Sequence, residues 1–484
     1  MATTSGKSYP NLIGGDWKNP NDAVLENHNP ADHGEIVGLF PMATIEDTQT
    51  AMDAAHSALS AWKKTPGPAR GAILDKASQI ISTRLDEIAR TLTLEEGKTF
   101  AEARAEVMRA RDIFKYYSGD GWRYDGQVLP SSVNDELLYT RHEPLGVVSI
   151  ITPWNFPIAI PAWKIAPALI YGNTVVFKPA EDAPLTALMM VEALVEAGLP
   201  PGVINFLTGD GALIGTEMTS NPLVNGVSFT GSHVVGTQVY QNAIKNMARV
   251  QLEMGGKNAL VILKDANLNL SVDIALRGGF GLTGQACTAT SRVIVEEEIA
   301  DAFVSALTEA TKNLIVGNGL ENGVQMGPLV NRDQLETSQT YMALGKKEGA
   351  KLLLGGEVDG QKGYFAQATI FDHVEPTMRI AQEEIFGPVI SVIRANGLND
   401  SIEKTNTIRF GLSASVVTND LKNAFAFANQ VDAGVIKINE PTTGVALNAP
   451  FGGFKHSSAN TFKEQGQAAM DFYTRTKTIY INHG

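Results

Sequence analysis

The chain has 484 residues, of which 44% are hydrophobic and 19% charged, and it contains 46 glycines and 22 prolines. This composition is typical of an α/β protein with two or three domains and rules out a disordered or fibrous chain. A formal net charge of −13 argues against a nucleic-acid partner, and one cysteine with no His-x-x-x-His pair argues against a metal centre.

Two features bear on location. Residues 1–7, MATTSGK, lack the apolar stretch of a signal peptide, and a single cysteine makes no internal disulfide, so we expect a cytoplasmic protein. The longest uncharged run, residues 144–163, is long enough to span a bilayer, but its four prolines would break a membrane helix. We interpret the run as a buried strand followed by a loop, and we expect no membrane partner.

The first predicted element in the chain is an amphipathic helix behind a capping box formed by Thr44 and Asp47. Its apolar face follows at helical spacing: Ala51, Ala54, Ala55, Ala58, Leu59 and Trp62. Residues 69–118 are rich in charge and helix formers, which predicts two or more helices covering a sheet. Strand-like and helical segments then alternate (GVVSIIT, NTVVFKPA, TALMMVEALVEAG, GVINFLTG, NGVSFTGS), and this alternation predicts a parallel sheet with right-handed crossovers.

The same alternation restarts after residue 255 with ALVIL, SRVIV, PVISVI and SASVVT. A second α/β domain is therefore predicted to begin near Gly255 or Gly256, and two such domains leave a cleft between them. The segment FYTRTKTIYIN, residues 472–482, alternates like a strand, which predicts edge pairing with another subunit.

Two motifs of the first half place polar side chains in apolar loops. PWNFP holds Asn155 between two prolines, where its amide can donate to a developing oxyanion or simply cap a turn in a packed loop. Lys178 follows a predicted strand and precedes Glu181, so the pair either brackets a ribose at the carboxyl end of the sheet or forms a solvated loop.

The segment VSFTGSHVVG runs from a strand through Gly231 and Ser232 into a helix. Such a glycine-containing helix start can bind a phosphate, although the pattern is not Gly-x-Gly-x-x-Gly. Glu253 in LEMGGK lies at the predicted domain junction, where a carboxylate is either a general base or part of a hinge salt bridge.

The only cysteine, Cys287, lies in GQACT among small residues. Most free cysteines are inert core residues, but small neighbours leave a thiol accessible, as a nucleophile requires.

Six motifs in this order, PWNFP, FKPAE, FTGS, LEMGGKN, GQACT and EEIFGP, resemble those of the NAD(P)-dependent aldehyde dehydrogenase family over nearly the whole chain. The resemblance implies a Rossmann-type cofactor domain, an α/β catalytic domain and a small β oligomerisation arm. It implies that Cys287 attacks the aldehyde, that the Asn155 side chain and the Cys287 backbone N–H hold the oxyanion, and that Glu253 activates water. Glu464 matches a position that assists proton relay in some members.

The residues that the resemblance implies fall into three sets. The catalytic set is Cys287, Glu253, Asn155, Lys178 and Glu464. The cofactor set, for NAD with NADP as the alternative, is Thr152, Pro153, Trp154, Lys178, Glu181, Gly211, Phe229, Thr230, Gly231, Ser232, Leu252, Gly255, Glu384 and Phe386. The substrate set is Trp163, Ser291, Thr442 and Phe451.

The resemblance also implies a domain division. Residues 1–121 and 144–255 form the dinucleotide-binding domain, residues 256–456 the catalytic domain, and residues 122–143 and 457–484 the oligomerisation domain of a homodimer or homotetramer. Glu181 favours NAD, because a carboxylate accepts from a ribose 2′-hydroxyl and repels a 2′-phosphate.

For the substrate, residues 439–481 and GQACTATSRVIV resemble the branch of the family that oxidises α-ketoglutaric semialdehyde (2,5-dioxopentanoate). Relatives acting on semialdehydes often have arginines near positions 163 and 281, where this chain has Trp163 and Gly281. A substrate carboxylate is then left to backbone N–H groups, to the hydroxyls of Ser291 or Thr442, or to Arg292 if it points inward. The alternatives are succinate or glutarate semialdehyde, an apolar aldehyde, a CoA-acylating dehydrogenase, which Glu253 disfavours, and a catalytically silent relative.

Overall fold

Two seven-stranded sheets organise the computed structural model, which describes residues 6–19, 23–459 and 461–484. Most of the N-terminal heptapeptide considered above lies outside these ranges. Within them, no helix combines the length and the apolar character needed to cross a bilayer.

The α-helices of the described ranges are α1 (Ile45–Trp62), α2 (Gly67–Thr83), α3 (Leu85–Glu96), α4 (Phe100–Ser118), α5 (Ala159–Ile170), α6 (Pro184–Glu196), α7 (Gly211–Ser220), α8 (His233–Ala243), α9 (Leu268–Phe280), α10 (Glu297–Lys312), α11 (Arg332–Glu348), α12 (Arg379–Gln382), α13 (Gly397–Asn406), α14 (Leu421–Gln430) and α15 (Ala468–Tyr473). Short 3₁₀ turns cover Gly119–Trp122, Ile244–Asn246 and Gly281–Gly284.

The strands are β1 (Asn11–Ile13), β2 (Asp16–Lys18), β3 (Val24–Asn29), β4 (Asp32–Pro41), β5 (Val128–Leu129), β6 (Glu136–Pro144), β7 (Val147–Ile151), β8 (Thr174–Lys178), β9 (Ile204–Phe206), β10 (Val224–Gly231), β11 (Arg249–Met254), β12 (Asn258–Ile262), β13 (Thr290–Glu296), β14 (Lys351–Leu354), β15 (Val358–Asp359), β16 (Phe365–Ala366), β17 (Thr369–Asp372), β18 (Val389–Ala395), β19 (Phe410–Gly411), β20 (Ser413–Val417), β21 (Val435–Ile438), β22 (Phe454–Lys455) and β23 (Thr474–Asn482).

The first sheet has the strand order β11-β10-β7-β8-β9-β1-β2. Strands β7 to β11 are parallel, and β1 and β2 add antiparallel at one edge. The chain moves from β7 to β8 and β9 on one side and then crosses to β10 and β11 on the other. Ligands bind at the carboxyl ends of strands where the order reverses in this way, and here those ends lead into Thr152, Pro179 and Ser232.

The second sheet has the order β14-β17-β18-β13-β12-β20-β21 and is parallel except for β14. The link between the sheets is the short segment from β11 to β12, residues 255–257. The carboxyl edge of the first sheet therefore lies close to the amino edge of the second.

Several predicted elements form as expected. Thr44 and Asp47 make the predicted capping box of α1, and the helix buries Ala51, Ala55 and Trp62. Residues 69–118 form most of α2 and all of α3 and α4, whose buried faces pack in one apolar cluster with α5 and α6.

The interpretation of residues 144–163 as strand plus loop is wrong at its end, because α5 begins at Ala159. Pro161 lies in the first turn, where backbone N–H groups have no partner within the helix, so a proline costs little there. Pro167 lies inside the same helix, every residue of which is buried. Tertiary burial outweighs the local cost of that proline.

A third sheet, β23-β6-β5, stands apart from the other two. Strand β23 pairs antiparallel with β6 of the same chain over nine residue pairs, from Thr474–Pro144 to Asn482–Glu136. Ala469, Phe472 and Tyr473 pack into the apolar cluster of the first half. The predicted domain boundaries remain predictions, but the arm strand itself begins at Thr474, and the residues just before it belong to the main body.

Candidate active site

A cleft of about 930 Å³ lies between the two large sheets. Its walls include almost the whole predicted cofactor set together with two catalytic candidates: Thr152, Pro153, Trp154, Asn155, Lys178, Glu181, Gly211, Phe229, Thr230, Gly231, Ser232, Gly255, Cys287, Glu384 and Phe386. The structure thus brings together residues that lie more than 230 positions apart in the sequence.

One end of the cleft is a small polar corner at the carboxyl end of β8. The Nζ of Lys178 donates to Glu181 Oε1 at 2.9 Å and to the carbonyl of Pro179 at 3.0 Å. The backbone N–H of Gly211, at the start of α7, donates to the same Glu181 oxygen at 2.9 Å. Two donors therefore fix one carboxylate oxygen of Glu181 at the edge of the cleft.

The start of α8 forms the middle of the same wall. Ser232 caps the helix, its hydroxyl accepting from the N–H of Val235 at 3.3 Å. Gly231 precedes it at the end of β10, so the first N–H groups of an eleven-residue helix open toward the cleft. Leu252 is not among the residues that line the cleft, and its side chain is buried in an apolar cluster of the first sheet, so its contact with the cofactor stays a prediction.

The far wall comes from the loop before β18. Glu384 Oε1 accepts from the N–H of Gly256 at 3.0 Å, and burial raises the pKa of this carboxyl to about 7. A Cβ on Gly255 would lie 2.1 Å from the Glu384 carboxylate oxygens. A side chain at position 255 would therefore displace the Glu384 carboxylate. Neither Gly255 nor Gly256 has a positive φ.

Phe386 lines the cleft in a left-handed backbone conformation, with φ of 60°. Its ring meets that of Trp154 edge-on at a centroid distance of 5.4 Å. Gln334 on α11, which sequence reasoning missed, donates from Nε2 to the carbonyls of Ile385 and Phe386 at 2.8 and 3.0 Å. These bonds hold a conformation that an L-residue rarely adopts.

Cys287 lies in the loop that leads into β13 and is partly accessible. The Asn155 Nδ2 donates to the carbonyl of Gln285, two residues before the thiol, at 3.0 Å. Asn258 donates from Nδ2 to the carbonyls of Cys287 and Ala289 at 2.8 and 2.9 Å. Two amide side chains from different sheets thus position one loop.

Burial raises the pKa of the Cys287 thiol well above its usual value. The carboxylates of Glu253, Glu384 and Glu464 raise it further, and the backbone N–H of Thr288 opposes them. The thiol is therefore neutral in the unliganded protein near pH 7, and its activation requires a base.

Glu253 is the penultimate residue of β11 and is 1% exposed. Among the described residues, neither of its carboxylate oxygens has a partner in hydrogen-bond geometry. Burial raises its pKa well above the usual value, nearby Glu464 adds to this, and Lys164, Lys463 and the Gly453 N–H only partly offset it. A buried carboxyl without a partner demands an explanation, and this one acts electrostatically on the only thiol.

Glu464 lies behind this pair and is itself buried. Its carboxylate accepts from Trp163 Nε1 at 2.8 Å and forms an ion pair with Lys164, a residue that sequence reasoning missed. Its backbone pairs with Phe451, whose ring lies 6.0 Å from that of Trp163. Two of the four predicted substrate residues therefore surround Glu464.

The other predicted substrate contacts are placed differently. The Thr442 hydroxyl bonds to the Thr290 hydroxyl and to the carbonyl of Thr288, both at 2.7 Å, so it has no free donor. The Ser291 hydroxyl oxygen is buried with no hydrogen-bond partner in the described part of the chain. Arg292 is 1% exposed and donates to the carbonyls of Lys257, Lys404 and Thr405, so the condition for its binding a substrate carboxylate, that it points inward, is not met.

A buried ionic cluster on α4 and the turn before it supports the Asn155 loop. Lys98 Nζ, 1% exposed, donates to the carbonyl of Asn155 at 2.6 Å and to Glu106 Oε2 at 2.7 Å. The other oxygen of Glu106 accepts from the N–H groups of Ile158 and Ala159 at 3.1 and 3.2 Å. The loop is therefore held at both ends by one cluster, which no local sequence motif indicates.

In the described part of the chain, no group of three or more His, Cys, Asp or Glu side chains is arranged to hold a metal ion.

Comparisons with known proteins agree with this geometry. The model of the aldehyde dehydrogenase family matches residues 17–479. The chain is 45% identical over 483 residues to the α-ketoglutaric semialdehyde dehydrogenase of Bacillus subtilis, covering 99% of each chain. It is 44% identical over 476 residues to the 2,5-dioxopentanoate dehydrogenase of Saccharolobus solfataricus, covering 98% of this chain and 99% of that one.

Among solved structures, the betaine aldehyde dehydrogenase of Staphylococcus aureus in complex with NAD+ superposes with a TM-score of 0.95 and 34% identity, over 99% of this chain and 95% of that one. The chain belongs to the aldehyde dehydrogenase family. The sequence predictions of the family, of the α/β fold class and of an enzyme that oxidises aldehydes to acids are therefore confirmed.

Proposed function

We propose that this enzyme oxidises 2,5-dioxopentanoate to 2-oxoglutarate with NAD as the hydride acceptor, and that Cys287 is its nucleophile. The observation that carries the chemistry is the partly accessible Cys287 thiol between the Asn155 loop and the unpartnered, buried carboxyl of Glu253. The substrate rests on the two semialdehyde dehydrogenases named above, which are 44% and 45% identical to this chain over nearly its full length and carry this substrate in their names.

The residues of the cleft fit a dinucleotide. Glu181, fixed by Lys178 and Gly211, would accept from the adenosine ribose, and the N–H groups at the start of α8 would bind the pyrophosphate. Glu384 would accept from the nicotinamide ribose. The missing Cβ of Gly255 leaves the space in which Glu384 lies.

In the first step, Glu253 takes the thiol proton, and the Cys287 sulfur adds to the aldehyde carbon. The carbonyl oxygen becomes an oxyanion, which accepts from the amide of Asn155 and the backbone N–H of Cys287. Bound NAD would supply the hydride acceptor for this tetrahedral carbon, and loss of the hydride re-forms the carbonyl and leaves a thioester on Cys287.

In the second step, Glu253 removes a proton from water, and the resulting hydroxide attacks the thioester carbon. Before this step, the Glu464–Lys164 pair, which lies beside Glu253, carries away the proton taken from the thiol. The C–S bond then breaks, the acid leaves, and Glu253 returns the proton of the water to the Cys287 thiolate, which restores the thiol. Burial raises the pKa of both Glu253 and Cys287, and a raised pKa makes Glu253 a stronger base toward the thiol.

We also propose the domain division given by the sequence, a homodimer or homotetramer, and a cytoplasmic location. The β23-β6-β5 sheet supports assembly, because no strand of the described residues covers the outer edge of β23, and Tyr480 and Ile481 are exposed there. The single cysteine is compatible with a reducing compartment.

The test of the nucleophile is Cys287→Ala. We expect aldehyde oxidation to disappear while NAD binding, measured by calorimetry, stays unchanged. Turnover near that of the wild-type protein would overturn the assignment.

The test of the substrate is a panel of kcat/KM values for 2,5-dioxopentanoate, succinate semialdehyde, hexanal and benzaldehyde. We expect the first to be highest. The Trp163–Phe451 ring pair favours a second candidate, an uncharged aldehyde, and higher values for hexanal or benzaldehyde than for both carboxylated substrates would support that candidate instead.

A further inference from the structure

The proposed substrate carries a carboxylate at the end opposite the aldehyde, and its recognition requires a cation or several N–H donors. Arg292 does not supply them, because three backbone carbonyls already occupy its guanidinium. The hydroxyl of Thr442 is occupied as well. The inference below rests on the proposed function and concerns which residue binds this carboxylate.

Arg109 on α4 differs from the other arginines of its helix. Arg104 and Arg111 pair with Asp86 and Asp112, each at 2.8 Å, on the outer surface. Arg109 is partly buried, and among the described residues no carboxylate oxygen lies within 4.0 Å of its nitrogens. Burial lowers its pKa from the usual value, so its charge is poorly compensated.

In the described part of the chain, the Arg109 guanidinium has one hydrogen-bond partner, Gln465, whose Oε1 accepts from Nη2 at 2.9 Å. Gln465 is 1% exposed and has a positive φ of 62°. Its Nε2 is buried without a hydrogen-bond partner in the described part of the chain. An unpaired buried amide donor beside a partly compensated guanidinium forms a donor set suited to a carboxylate.

These donors lie on segments that also carry residues of the site. Gln465 directly follows Glu464, about 3.8 Å away between Cα atoms, and the Glu464 carboxylate contacts Trp163. On α4, Arg109 is one turn beyond Glu106, on the same face of the helix. Glu106 holds the turn that follows Asn155. The backbone of Arg109 is therefore near the residue that supports the Asn155 loop, and its guanidinium contacts Gln465, the neighbour of Glu464.

We propose that Arg109, positioned by Gln465, binds the distal carboxylate of the semialdehyde and determines the preference of the enzyme for carboxylated substrates. The aldehyde end then lies toward Cys287, and Trp163 with Phe451 flanks the carbon chain between them. Sequence position did not indicate this residue, because the arginine comes from a helix that carries none of the family motifs.

The experiment compares kcat/KM for 2,5-dioxopentanoate with that for pentanal, an uncharged aldehyde of equal carbon number, in the wild-type enzyme and in Arg109→Met. We expect the variant to lose about 10- to 150-fold with the carboxylated substrate, mainly through KM, the range for hydrogen bonds to a charged group. The value for pentanal should stay within about threefold.

Two further variants complete the design. Arg109→Lys retains the positive charge and should recover part of the preference, and Arg111→Met, on the same helix but paired with Asp112, should leave both values unchanged. Thermal unfolding of each variant checks that it folds. If Arg109→Met does not fold, Arg109→Gln replaces it in the comparison.

The outcomes separate the two proposals. If the wild-type enzyme prefers the carboxylated substrate, and Arg109→Met loses activity equally with both aldehydes or with neither, the role of Arg109 is overturned while the proposed function stands. If the wild-type enzyme prefers pentanal, the substrate proposal fails and the inference fails with it.

Discussion

Glu181 should set the choice between NAD and NADP, and Glu181→Gln is the perturbation that tests this. The substitution removes the negative charge but keeps a side-chain oxygen for the contacts with Lys178 and Gly211. In the wild-type protein these two donors prevent the carboxylate from turning away from the cofactor. We therefore expect the wild-type enzyme to prefer NAD.

The size of the preference for NAD over NADP depends on the charge of the 2′-phosphate and on the exposure of Glu181. A 2′-phosphate carries about −1.5 to −2 charges at neutral pH. At roughly 5 Å from a carboxylate, with an effective dielectric constant of about 20, the repulsion is about 5 kcal/mol. Because the Glu181 side chain is 40% exposed, solvent and salt reduce this to about 1–3 kcal/mol, or about 5- to 150-fold in kcat/KM for NADP.

The assay measures kcat/KM for NAD and for NADP with one aldehyde, at low and at high ionic strength. In Glu181→Gln the value for NADP should rise by the factor above, less so at high salt, while the value for NAD changes by no more than about threefold. Glu196→Gln, at the exposed end of α6, is the matched control. An unchanged NAD-to-NADP ratio in Glu181→Gln would refute the reasoning.

Three other predictions concern buried charged residues. Glu253→Gln should abolish the stoichiometric burst of NADH, because the Cys287 thiol then keeps its proton in the first step; a full burst followed by a stall would confine Glu253 to the activation of water in the second step. Lys98→Met should lower kcat by about 10- to 100-fold with KM for NAD unchanged, since Asn155 loses its support; an unaltered kcat in steady-state assays would contradict this. Lys257→Met should stabilise the protein, because burial lowers the pKa of this lysine from 10.5 to about 7 and its Nζ has no partner among the described residues. Between those pH values the unfolded chain binds a proton that the folded chain does not, so the stability of the wild-type protein rises with pH there. The free energy of unfolding of Lys257→Met should therefore exceed that of the wild-type protein by at most about 5 kcal/mol near pH 7 and by little near pH 10. A difference in Tm that does not depend on pH would contradict this prediction.

Local sequence signals predicted much of the fold. The capping box of α1, the helices of residues 69–118 and the alternating strands and helices of both sheets depend on periodicities of 2 and 3.6 residues, which neighbouring positions reveal. The helix α5 was missed because a proline rule was applied to a segment whose stability comes from complete burial.

The residues of the candidate site also fall into those that a local motif indicates and those that it does not. Cys287, Asn155, Glu181 and Glu384 lie in short motifs and were found. Lys98 and Lys164 act across 57 and 300 positions, on the carbonyl of Asn155 and on Glu464.

Gln334 likewise reaches the Phe386 loop from a separate helix. A contact between distant elements leaves no periodic trace in one sequence, so only the three-dimensional structure shows it. The same reason explains why Arg292, next to the Cys287 loop in sequence, faces away from it.

The pairing of β6 with β23 has a consequence for folding during synthesis on the ribosome. Lys477 and its partner Glu143 are 334 positions apart, so at roughly 5–20 residues per second β6 waits roughly 15–70 s on the ribosome for its main partner. During that interval a nine-residue strand has only the short β5 beside it. Charged residues along the two strands, Arg141 and Glu143 on β6 and Arg475 and Lys477 on β23, hinder premature pairing with other nascent chains until the correct strand emerges.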